Sequence, residues 1–294
     1  MKKTKKIFIS GVAGFLGSHL ADKFIDDGFK VIGCDNLIGG YIDNVPSQVD
    51  FFQYDCNHLN SMIKISKDCE IFYHCAATAY EGLSCFSPYL VSQNVFQNSV
   101  AVFTAAIVNK AKRIIFCSSM ARYGNNKTPF TEDQKTNPVD PYGISKVAAE
   151  NILMTLSNIH NIEYCIAVPH NIFGPRQKYN DPYRNVASIM INLMLQGRQP
   201  IIYGDGEQKR CFSYIDDCIF CLKEMANSEN VLKKVINIGP DEELITINKL
   251  AENIANLLKF NLNPTYMPER PQEVKIATCS SKKARELLGY RTNT

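Results

Sequence analysis

The sequence lacks an excess of charge of either sign, and it lacks long apolar runs. Its 294 residues include 32 basic and 29 acidic side chains, which leaves a formal net charge of +3. That balance is too even to indicate nucleic acid or an anionic membrane surface as a partner. No apolar run reaches the roughly 20 residues of a membrane-spanning helix. We therefore expect no nucleic-acid or membrane partner, while small anionic ligands stay possible because they need only a local site.

Internal repeats, low-complexity tracts and metal-ligand spacings are also lacking. The eleven cysteines are scattered, and the one CxxC pair, Cys218 and Cys221, has no second pair or histidine beside it. Most cysteines lie in apolar runs, where a free thiol acts as a small hydrophobic side chain. We predict no metal site, and a reducing cytoplasm fits this cysteine usage best.

The N-terminal MKKTKK precedes an apolar run and superficially resembles a signal peptide. Three regularly spaced glycines within that run favour a different interpretation. The basic residues are expected to form a solvated tail.

Short β-rich segments alternate with helix-like segments through the first 170 residues. The strand-like segments are 6–10, 30–35, 50–55, 69–77, 113–119 and 163–170, and helix-like ones are 15–28, 88–110 and 141–160. Strands that alternate with helices predict a parallel sheet covered on both faces. The predicted fold class is α/β, with a doubly wound parallel sheet of the Rossmann type.

After about residue 170 the loops become richer in Pro, Asn and Gly, and the elements become shorter. This change predicts a smaller, discontinuous α+β lobe. We assign residues 1–168, with about 212–238, to a cofactor-binding domain. Residues 169–211 and 239–294 form the predicted substrate-binding lobe.

A glycine-rich loop follows the first predicted strand. Gly11, Gly14 and Gly17 open the next helix, with Phe15 and Leu16 between them. Such a loop lets the backbone approach a pyrophosphate, and the helix N-terminus presents free N–H groups to it. Asp35 ends the next predicted strand, 18 residues after Gly17. Its carboxylate can bind an adenosine ribose and would repel a 2′-phosphate, so NAD is predicted rather than NADP.

Other residues at predicted strand ends suit the same cofactor. The end of the third predicted strand, at Asp55 and Cys56, is where the adenine would lie. The end of the fourth carries Ala76 and Ala77, whose small side chains let the cofactor approach the backbone. Asn94 lies in a long predicted helix, where an ordinary solvated asparagine is the alternative. The further residues predicted to bind NAD are Asn36, Asp55, Cys56, Cys75, Ala76, Ala77 and Asn94.

Tyr142 and Lys146 lie one helical turn apart in PYGISKVAAEN. A free tyrosine has a pKa of about 10, which is too high for a general base near neutral pH. A nearby ammonium stabilises the phenolate and lowers that pKa. This spacing is common by chance, and it indicates catalysis here because a dinucleotide site is also predicted.

The motifs GVAGFLG, HCAA, SSMARYG, PYGISK, PHNIFGPRQ, GDGEQKRCFSYIDD and RPQEVKIA follow one another along nearly the whole chain. In this order they resemble those of the extended short-chain dehydrogenase/reductases, in the nucleotide-sugar epimerase and dehydratase family. The resemblance implies that Tyr142 is the catalytic base and acid. It also implies that Lys146 binds the nicotinamide ribose, and that Ser119 hydrogen-bonds the reacting sugar oxygen.

The residues after Ser119 narrow the reaction. Sugar dehydratases of this family carry an Asp-Glu pair there, and decarboxylases usually carry an acidic residue. Met120 and Ala121 occupy the turn here, and neither can transfer a proton. We therefore expect 4-epimerisation of a UDP-hexose through a transient 4-keto sugar. The alternatives are another epimerase, such as one for a UDP-uronate, a nucleotide-sugar reductase, or a non-catalytic NAD-binding protein.

The resemblance also implies the substrate-binding residues. Arg210 and Arg270 would bind the diphosphate, and Tyr203 would lie near the nucleotide base of the substrate. Ala277 would border the C2 substituent of the sugar. A small side chain at Ala277 predicts that N-acetylated sugars are accepted, unless the register slips to Ile276 or Thr278. The full predicted set is Ser119, Tyr142, Asn171, Asn185, Val186, Tyr203, Arg210, Arg270 and Ala277.

Two departures from the family pattern are present. Val168 stands where many relatives have an arginine, which predicts a shifted loop rather than lost activity. The sequence also ends with ARELLGYRTNT, where relatives usually continue through one more helix.

The resemblance further implies a homodimer, in which helices near residues 88–109 and 141–160 pair with their copies. Those helices carry apolar residues on several faces. The residues expected to contribute are Val100, Val102, Phe103, Ile152, Leu153 and Leu156.

Overall fold

The computed structural model describes residues 5–181, 185–269 and 275–293. The strands in these ranges are β1 (Lys6–Ser10), β2 (Lys30–Asp35), β3 (Asp50–Gln53), β4 (Ile71–His74), β5 (Arg113–Cys117), β6 (Glu163–Pro169), β7 (Ile172–Phe173), β8 (Ile201–Tyr203), β9 (Lys209–Arg210), β10 (Ser213–Tyr214), β11 (Val235–Ile238), β12 (Ile245–Thr246), β13 (Thr265–Met267) and β14 (Ile276–Ala277). Seven of them, all parallel, form one large sheet in the spatial order β11-β6-β5-β4-β1-β2-β3. The predicted doubly wound α/β fold is confirmed.

Helices cover both faces of the large sheet. The helices are α1 (Phe15–Asp26), α2 (Leu59–Ile65), α3 (Glu81–Ser84), α4 (Pro88–Ser92), α5 (Asn98–Val108), α6 (Pro141–His160), α7 (Val186–Leu195), α8 (Ile215–Glu224), α9 (Ile247–Leu258) and α10 (Lys282–Leu288). In the part of the chain that the structure describes, no helix combines the length and apolar character needed to cross a membrane.

Strand β1 shows why both faces of the sheet are apolar. Ile7 and Ile9 point into the core that holds α1 and α8, whereas Phe8 points into the core that holds α5 and α6. All three side chains are fully buried. Because successive side chains alternate across a strand, a strand covered on both faces is apolar along its whole length.

Helix α6 has clear start and stop signals. Asp140 caps its N-terminus, and the carboxylate accepts a hydrogen bond of 2.8 Å from the Gly143 backbone N–H. Pro141 occupies the first turn, where a missing N–H is tolerated. Asn161 ends the helix in the left-handed conformation, with φ of 54°. These signals fix the positions of Tyr142 and Lys146 in the first two turns.

Three predicted strands are shorter than expected. They end at Gln53, His74 and Cys117, so the cofactor residues at 55–56 and 76–77 lie in the loops that follow and not in the strands. The chain turns away from the sheet after these three residues. The long helix predicted at 88–110 is also interrupted by a π-helical turn at Gln93–Gln97.

Three of the six residues expected at a dimer interface belong to the core instead. Val102, Phe103 and Leu153 are fully buried in the core that α5 and α6 form with the sheet. Their apolar character therefore serves folding of the single chain. Val100, Ile152 and Leu156 are only partly buried.

Small sheets and a separate core lie outside the large sheet. β10 pairs with β7, β8 pairs with β13, and β9 lies between β12 and β14. Helices α7 and α9 pack together around Met190, Met194 and Ile254. We keep the two-domain division of the sequence as a proposal.

Candidate active site

A cavity of about 910 Å³ lies at the carboxyl ends of the large sheet's strands. This edge of a parallel sheet is where α/β proteins bind ligands. Residues from the large sheet line one part, and residues from 169 onward, including Asn171 and Arg210, line another. The cavity therefore joins the two regions that the sequence assigned to cofactor and substrate.

The glycine loop forms a cradle that side chains would fill. Gly11 has φ of +76°, and a Cβ there would lie 2.8 Å from the Ala76 backbone nitrogen. A Cβ on Gly17 would lie 2.2 Å from the Gly11 carbonyl oxygen. Gly14 caps α1 without a side chain, which leaves the N–H groups of the first turn open to an anion. The loop thus fits a dinucleotide's pyrophosphate.

Asp35 is fixed at the end of β2 by backbone donors. Its carboxylate accepts hydrogen bonds from the Ala13 N–H at 3.1 Å and the Leu37 N–H at 2.7 Å. The carboxylate lines the cavity and fits the ribose hydroxyls of NAD.

Asp55 lies beside this site, where Asn36 donates to its carboxylate at 3.0 Å. Burial alone would raise the pKa of Asp55. Hydrogen bonds from the Asn57 backbone and from the Asn36 and Asn57 side chains outweigh burial and lower that pKa. Asp55 therefore stays ionised and holds Asn36 in place.

Every residue predicted to bind NAD lines the cavity. They are Gly11, Gly14, Phe15, Leu16, Gly17, Asp35, Asn36, Asp55, Cys56, Cys75, Ala76, Ala77, Asn94, Tyr142 and Lys146. All precede residue 147, whereas the predicted substrate residues Asn171 to Ala277 follow β6. Asn94 is 8% exposed, so it is a buried residue rather than a solvated one.

Tyr142 and Lys146 are buried on the cavity side of α6, at 5% and 3% exposure. The Lys146 ammonium donates to the Cys117 carbonyl oxygen at 2.7 Å and lies 5.9 Å from the centre of the Tyr142 ring. Burial lowers the pKa of Lys146 to about 8, although Cys117, Cys75 and Glu150 act in the opposite direction. The ammonium therefore keeps most of its charge at neutral pH, beside the phenol.

Ser119 lies at the start of a short turn, Met120–Arg122, that faces Tyr142. Its hydroxyl accepts a hydrogen bond of 3.2 Å from the Ala121 N–H. Ala121 packs against the cluster that contains Tyr142. Ser119, Met120 and Ala121 all line the cavity, so the structure brings the serine and the tyrosine to one site.

The predicted substrate residues divide into three groups. Asn171, Asn185, Tyr203, Arg210 and Ala277 line the cavity. Val186 does not, because its side chain packs against the α7–α9 core while Asn185 caps α7. Arg270 lies outside the described residues.

The register at Ala277 is set by strand pairing. Ala277 pairs with Arg210 across β14 and β9, and it lines the cavity. Ile276 is 44% exposed, and Thr278 contacts the Cys211 thiol at 3.6 Å. Neither neighbour lines the cavity. The alanine is therefore the residue at the wall.

A strap made of residues 175–181 was missed by the sequence analysis. It crosses the loop after β2, where Lys178 donates to the Ile38 carbonyl at 2.8 Å and Tyr41 donates to Asn180 at 2.6 Å. Tyr80 donates to the Asp181 carboxylate at the other end. Ile38 and Gly39 line the cavity, so the strap buttresses the wall of the cofactor end. The only signal in the sequence is that these residues fall within 171–185, a stretch that is richer in Pro and Asn.

Comparisons with known proteins agree with this geometry. Residues 7–239 match the family described as the NAD dependent epimerase/dehydratase family. The structure is similar to that of UDP-glucose 4-epimerase from Thermotoga maritima with UDP-glucose, with a TM-score of 0.94, 29% identity, and coverage of 98% of this chain and 94% of that chain. UDP-N-acetylglucosamine 4-epimerase from Methanobrevibacter ruminantium, in complex with UDP-N-acetylmuramic acid, gives a TM-score of 0.92 at 32% identity, with 99% and 94% coverage.

Similarity extends to a different reaction. The UDP-N-acetyl-alpha-D-glucosaminuronate decarboxylase of Bacillus cytotoxicus is 29% identical over 273 residues, which cover 90% of this chain and 84% of that protein. Overall similarity therefore identifies the fold and the cofactor, and the choice of reaction depends on individual residues.

Proposed function

Because the chain belongs to the NAD-dependent epimerase/dehydratase family, we propose that it epimerises C4 of a UDP-hexose through a transient 4-keto sugar. The observation that supports this reaction best is the turn after Ser119. Met120 and Ala121 line the cavity there, and neither side chain can transfer a proton. Oxidation and reduction at C4 need only one acid–base group at the sugar oxygen.

In the proposed mechanism, Tyr142 accepts the proton of the C4 hydroxyl, and the Lys146 ammonium stabilises the phenolate. Ser119 donates a hydrogen bond to the same sugar oxygen and orients it. The glycine loop and Asp35 would hold NAD, which would accept the hydride from C4 and return it. After the sugar presents its other face, Tyr142 returns the proton to the oxygen, and the alcohol has the opposite configuration.

The charges in the cavity favour a neutral hexose over a uronate. Among the described residues that line it, the cationic side chains are Lys146 and Arg210. Lys146 serves the tyrosine and the nicotinamide ribose, and Arg210 is assigned to the diphosphate, for which a guanidinium fork is suited. A uronate carboxylate would need a further cation, or a neutral donor such as the Thr78 hydroxyl, which also lines the cavity. Asp35 likewise disfavours a reductase that uses NADPH.

Ala277 extends the proposal to N-acetylated sugars. It lines the cavity on the strand next to Arg210, and its methyl group leaves space for a C2 acetamido arm. We therefore include UDP-N-acetylglucosamine and UDP-N-acetylgalactosamine beside UDP-glucose and UDP-galactose.

The test is incubation of the purified protein with UDP-, dTDP- and GDP-hexoses and with UDP-glucuronate, followed by proton NMR of the anomeric signals. Interconversion of a UDP-hexose with its C4 epimer is the expected result. Turnover of UDP-glucuronate alone would replace the proposal with a uronate epimerase. Tightly held NAD without turnover of any sugar would favour a non-catalytic NAD-binding protein.

A further inference from the structure

A buried ion pair lies directly behind the catalytic residues. The Arg122 guanidinium donates to the Glu150 carboxylate through Nε at 3.0 and 3.2 Å and through Nη2 at 3.0 Å. The side chains are only 5% and 2% exposed. Neither residue lines the cavity, so neither is expected to touch cofactor or substrate.

The ion pair connects the two elements that carry the catalytic groups. Arg122 ends the turn that begins after Ser119, and Glu150 lies on α6 one helical turn after Lys146. Ser118, the neighbour of Ser119, also donates its hydroxyl to Glu150. The Glu150 carboxylate is thus bound by residues on both sides of Ser119.

We propose that Arg122 and Glu150 are positioning residues that hold the Ser119 hydroxyl in register with Tyr142 and Lys146. This inference rests on the proposed function, because it assigns these three residues to one reaction. A shift of about 1 Å in a reacting group can lower a rate by roughly 10²-fold, so a rigid connection between the turn and the helix matters for turnover.

The remaining contacts of the turn are short-range or depend on packing. The Arg122 N–H donates to the Ser119 carbonyl at 3.2 Å, and the Asn137 N–H donates to the Arg122 carbonyl at 2.9 Å. Gly143 on α6 lets the Ala121 carbonyl approach closely, since a Cβ there would lie 2.7 Å away. Of these described contacts, only the ion pair and the Ser118 hydroxyl join α6 to the turn through directional bonds between side chains.

Stability alone gives a weak reason for such a pair. Removing two charges from water is costly, and well-packed apolar replacements of buried pairs are often neutral or stabilising. Directional bonds from a planar guanidinium to a carboxylate fix geometry more strictly than apolar packing does. A positioning role accounts for both the burial and the location of this pair.

Glu150 also acts on Lys146 through its charge, because its carboxylate raises the pKa of that ammonium. Loss of the carboxylate should leave Lys146 less often charged at alkaline pH. The other titratable or charged groups near Lys146 are His74, Cys75, Cys117 and Tyr142.

The experiment compares Glu150→Gln with Glu163→Gln. Glu163 also faces a buried arginine, Arg113, at 2.8 Å, and it lies at the opposite end of the sheet. Both variants should melt at a lower temperature. Below both melting temperatures, Glu150→Gln should lose kcat on the order of 10- to 100-fold with KM nearly unchanged, and its alkaline rate limb should move to lower pH. Glu163→Gln should keep kcat and the pH profile of the wild type.

A double variant separates positioning from folding. Arg122→Met with Glu150→Leu replaces the pair by apolar side chains, so no charge stays buried alone. A double variant with a normal melting temperature and a reduced kcat supports the proposal. Arg122→Lys, with Glu150 intact, keeps a cation beside the carboxylate, and its kcat should lie between those of the double variant and the wild type. Wild-type kcat in the folded double variant would overturn it.

A second readout does not depend on turnover. The phenolate absorbance of the NAD-loaded protein, taken as the difference from its Tyr142→Phe counterpart, reports the titration of Tyr142. The double variant, Arg122→Met with Glu150→Leu, removes one charge of each sign. It should move that titration, because the turn that carries Ser119 would no longer be held beside the phenol. If the wild type turns over no nucleotide sugar, the proposed function fails, and this titration still decides the positioning role. An unchanged titration in that case would overturn it.

Discussion

The ammonium of Lys146 donates a 2.7 Å hydrogen bond to the carbonyl oxygen of Cys117, the last residue of β5. This bond connects α6 to the carboxyl end of β5, two residues before Ser119. The lysine is therefore held by the same strand whose continuation carries the serine. The packing of one helix on one strand end therefore places the phenol and the ammonium beside the start of the turn that carries the hydroxyl.

Tyr142→Phe should abolish epimerisation while NAD stays bound, because the change removes the proton acceptor and little volume. General acid–base groups contribute roughly 10²- to 10⁴-fold, which sets the expected loss. Turnover is measured by NMR, and bound NAD by absorbance after denaturation. The control is Tyr73→Phe, whose buried hydroxyl donates to the Leu222 carbonyl, and neither of these two residues lines the cavity. That variant should lose about 1–3 kcal/mol of unfolding free energy and keep its activity. Near-normal turnover by Tyr142→Phe would remove the tyrosine from its role.

The rate should fall as pH rises through about 8, where Lys146 loses its proton. Burial depresses the pKa of Lys146 in the folded protein below its ordinary value, so the unfolded chain holds that proton to higher pH. The contribution of this group to stability therefore rises between pH 8 and its ordinary pKa, while activity falls. A pH profile of kcat/KM, with denaturant unfolding at the same pH values, checks both signs. A flat rate up to pH 10 would contradict the assignment.

Ala277→Tyr should impair turnover of UDP-N-acetylglucosamine and UDP-N-acetylgalactosamine selectively, because the ring would fill the space of the acetamido arm. The matched control is Ile276→Tyr, since Ile276 is 44% exposed and lies outside the cavity lining. The ratio of kcat/KM for N-acetylated and unmodified sugars is the measurement. Equal losses on both sugar pairs, or a wild type inactive on N-acetylated sugars, would disprove the role of Ala277.

The homodimer expected from the sequence stays a prediction, now placed on the outer faces of α5 and α6. Val108 and Ile144 are 53% and 54% exposed there. Light scattering at micromolar concentration should show a dimer, and Ile144→Asp should convert it to a monomer by placing a charge in an apolar contact. Phe220→Asp, on α8 across the sheet, should leave the mass unchanged. A monomeric wild type would contradict the prediction.

Acid should destabilise the protein through His74 and His170. Burial lowers the pKa of each to about 3. The unfolded chain binds these protons near pH 6.5, so unfolding becomes easier as pH falls from there toward 3. The slope is up to about 1.4 kcal/mol per pH unit for each histidine. His170→Leu should flatten this dependence because it removes one of the two buried rings. The change breaks no hydrogen bond of the ring among the described residues, since neither ring nitrogen has a partner there. The exposed His160→Leu is the control, and denaturant unfolding between pH 7 and 5 is the measurement.

The glycine loop, Asp35 and the Tyr142–Lys146 pair were accessible from the sequence because each depends on spacing within one or two adjacent elements. The α/β class was predicted in the same way, from short β-rich segments that alternate with helix-like segments. Strand β11 escaped notice, since its four residues pair with β6 from about 70 positions away. The order of strands in the sheet depends on such distant pairings.

Contacts between distant segments could not be predicted. Arg122 and Glu150 are 28 residues apart, and from the sequence each would be interpreted as an exposed charged residue. The strap reaches the loop after β2 across more than 130 residues, and its bonds include backbone carbonyls that no side-chain pattern reveals. Val186 packs against the α7–α9 core, whereas its neighbour Asn185 lines the cavity, so the direction of each side chain at the start of α7 could not be predicted. The contact of Val186 with the substrate stays a prediction.

The chain order of the cavity wall has a consequence for synthesis on the ribosome. All residues assigned to NAD, from Gly11 to Lys146, and six of the seven large-sheet strands emerge before Asn171. In the part of the chain that the structure describes, the later strand β11 is the outermost strand and pairs with β6 alone, so it joins without parting strands already formed. The nascent chain therefore holds every residue of its dinucleotide cradle before Ala277 has been translated, while α8, which covers one face of the sheet, is made only after Arg210.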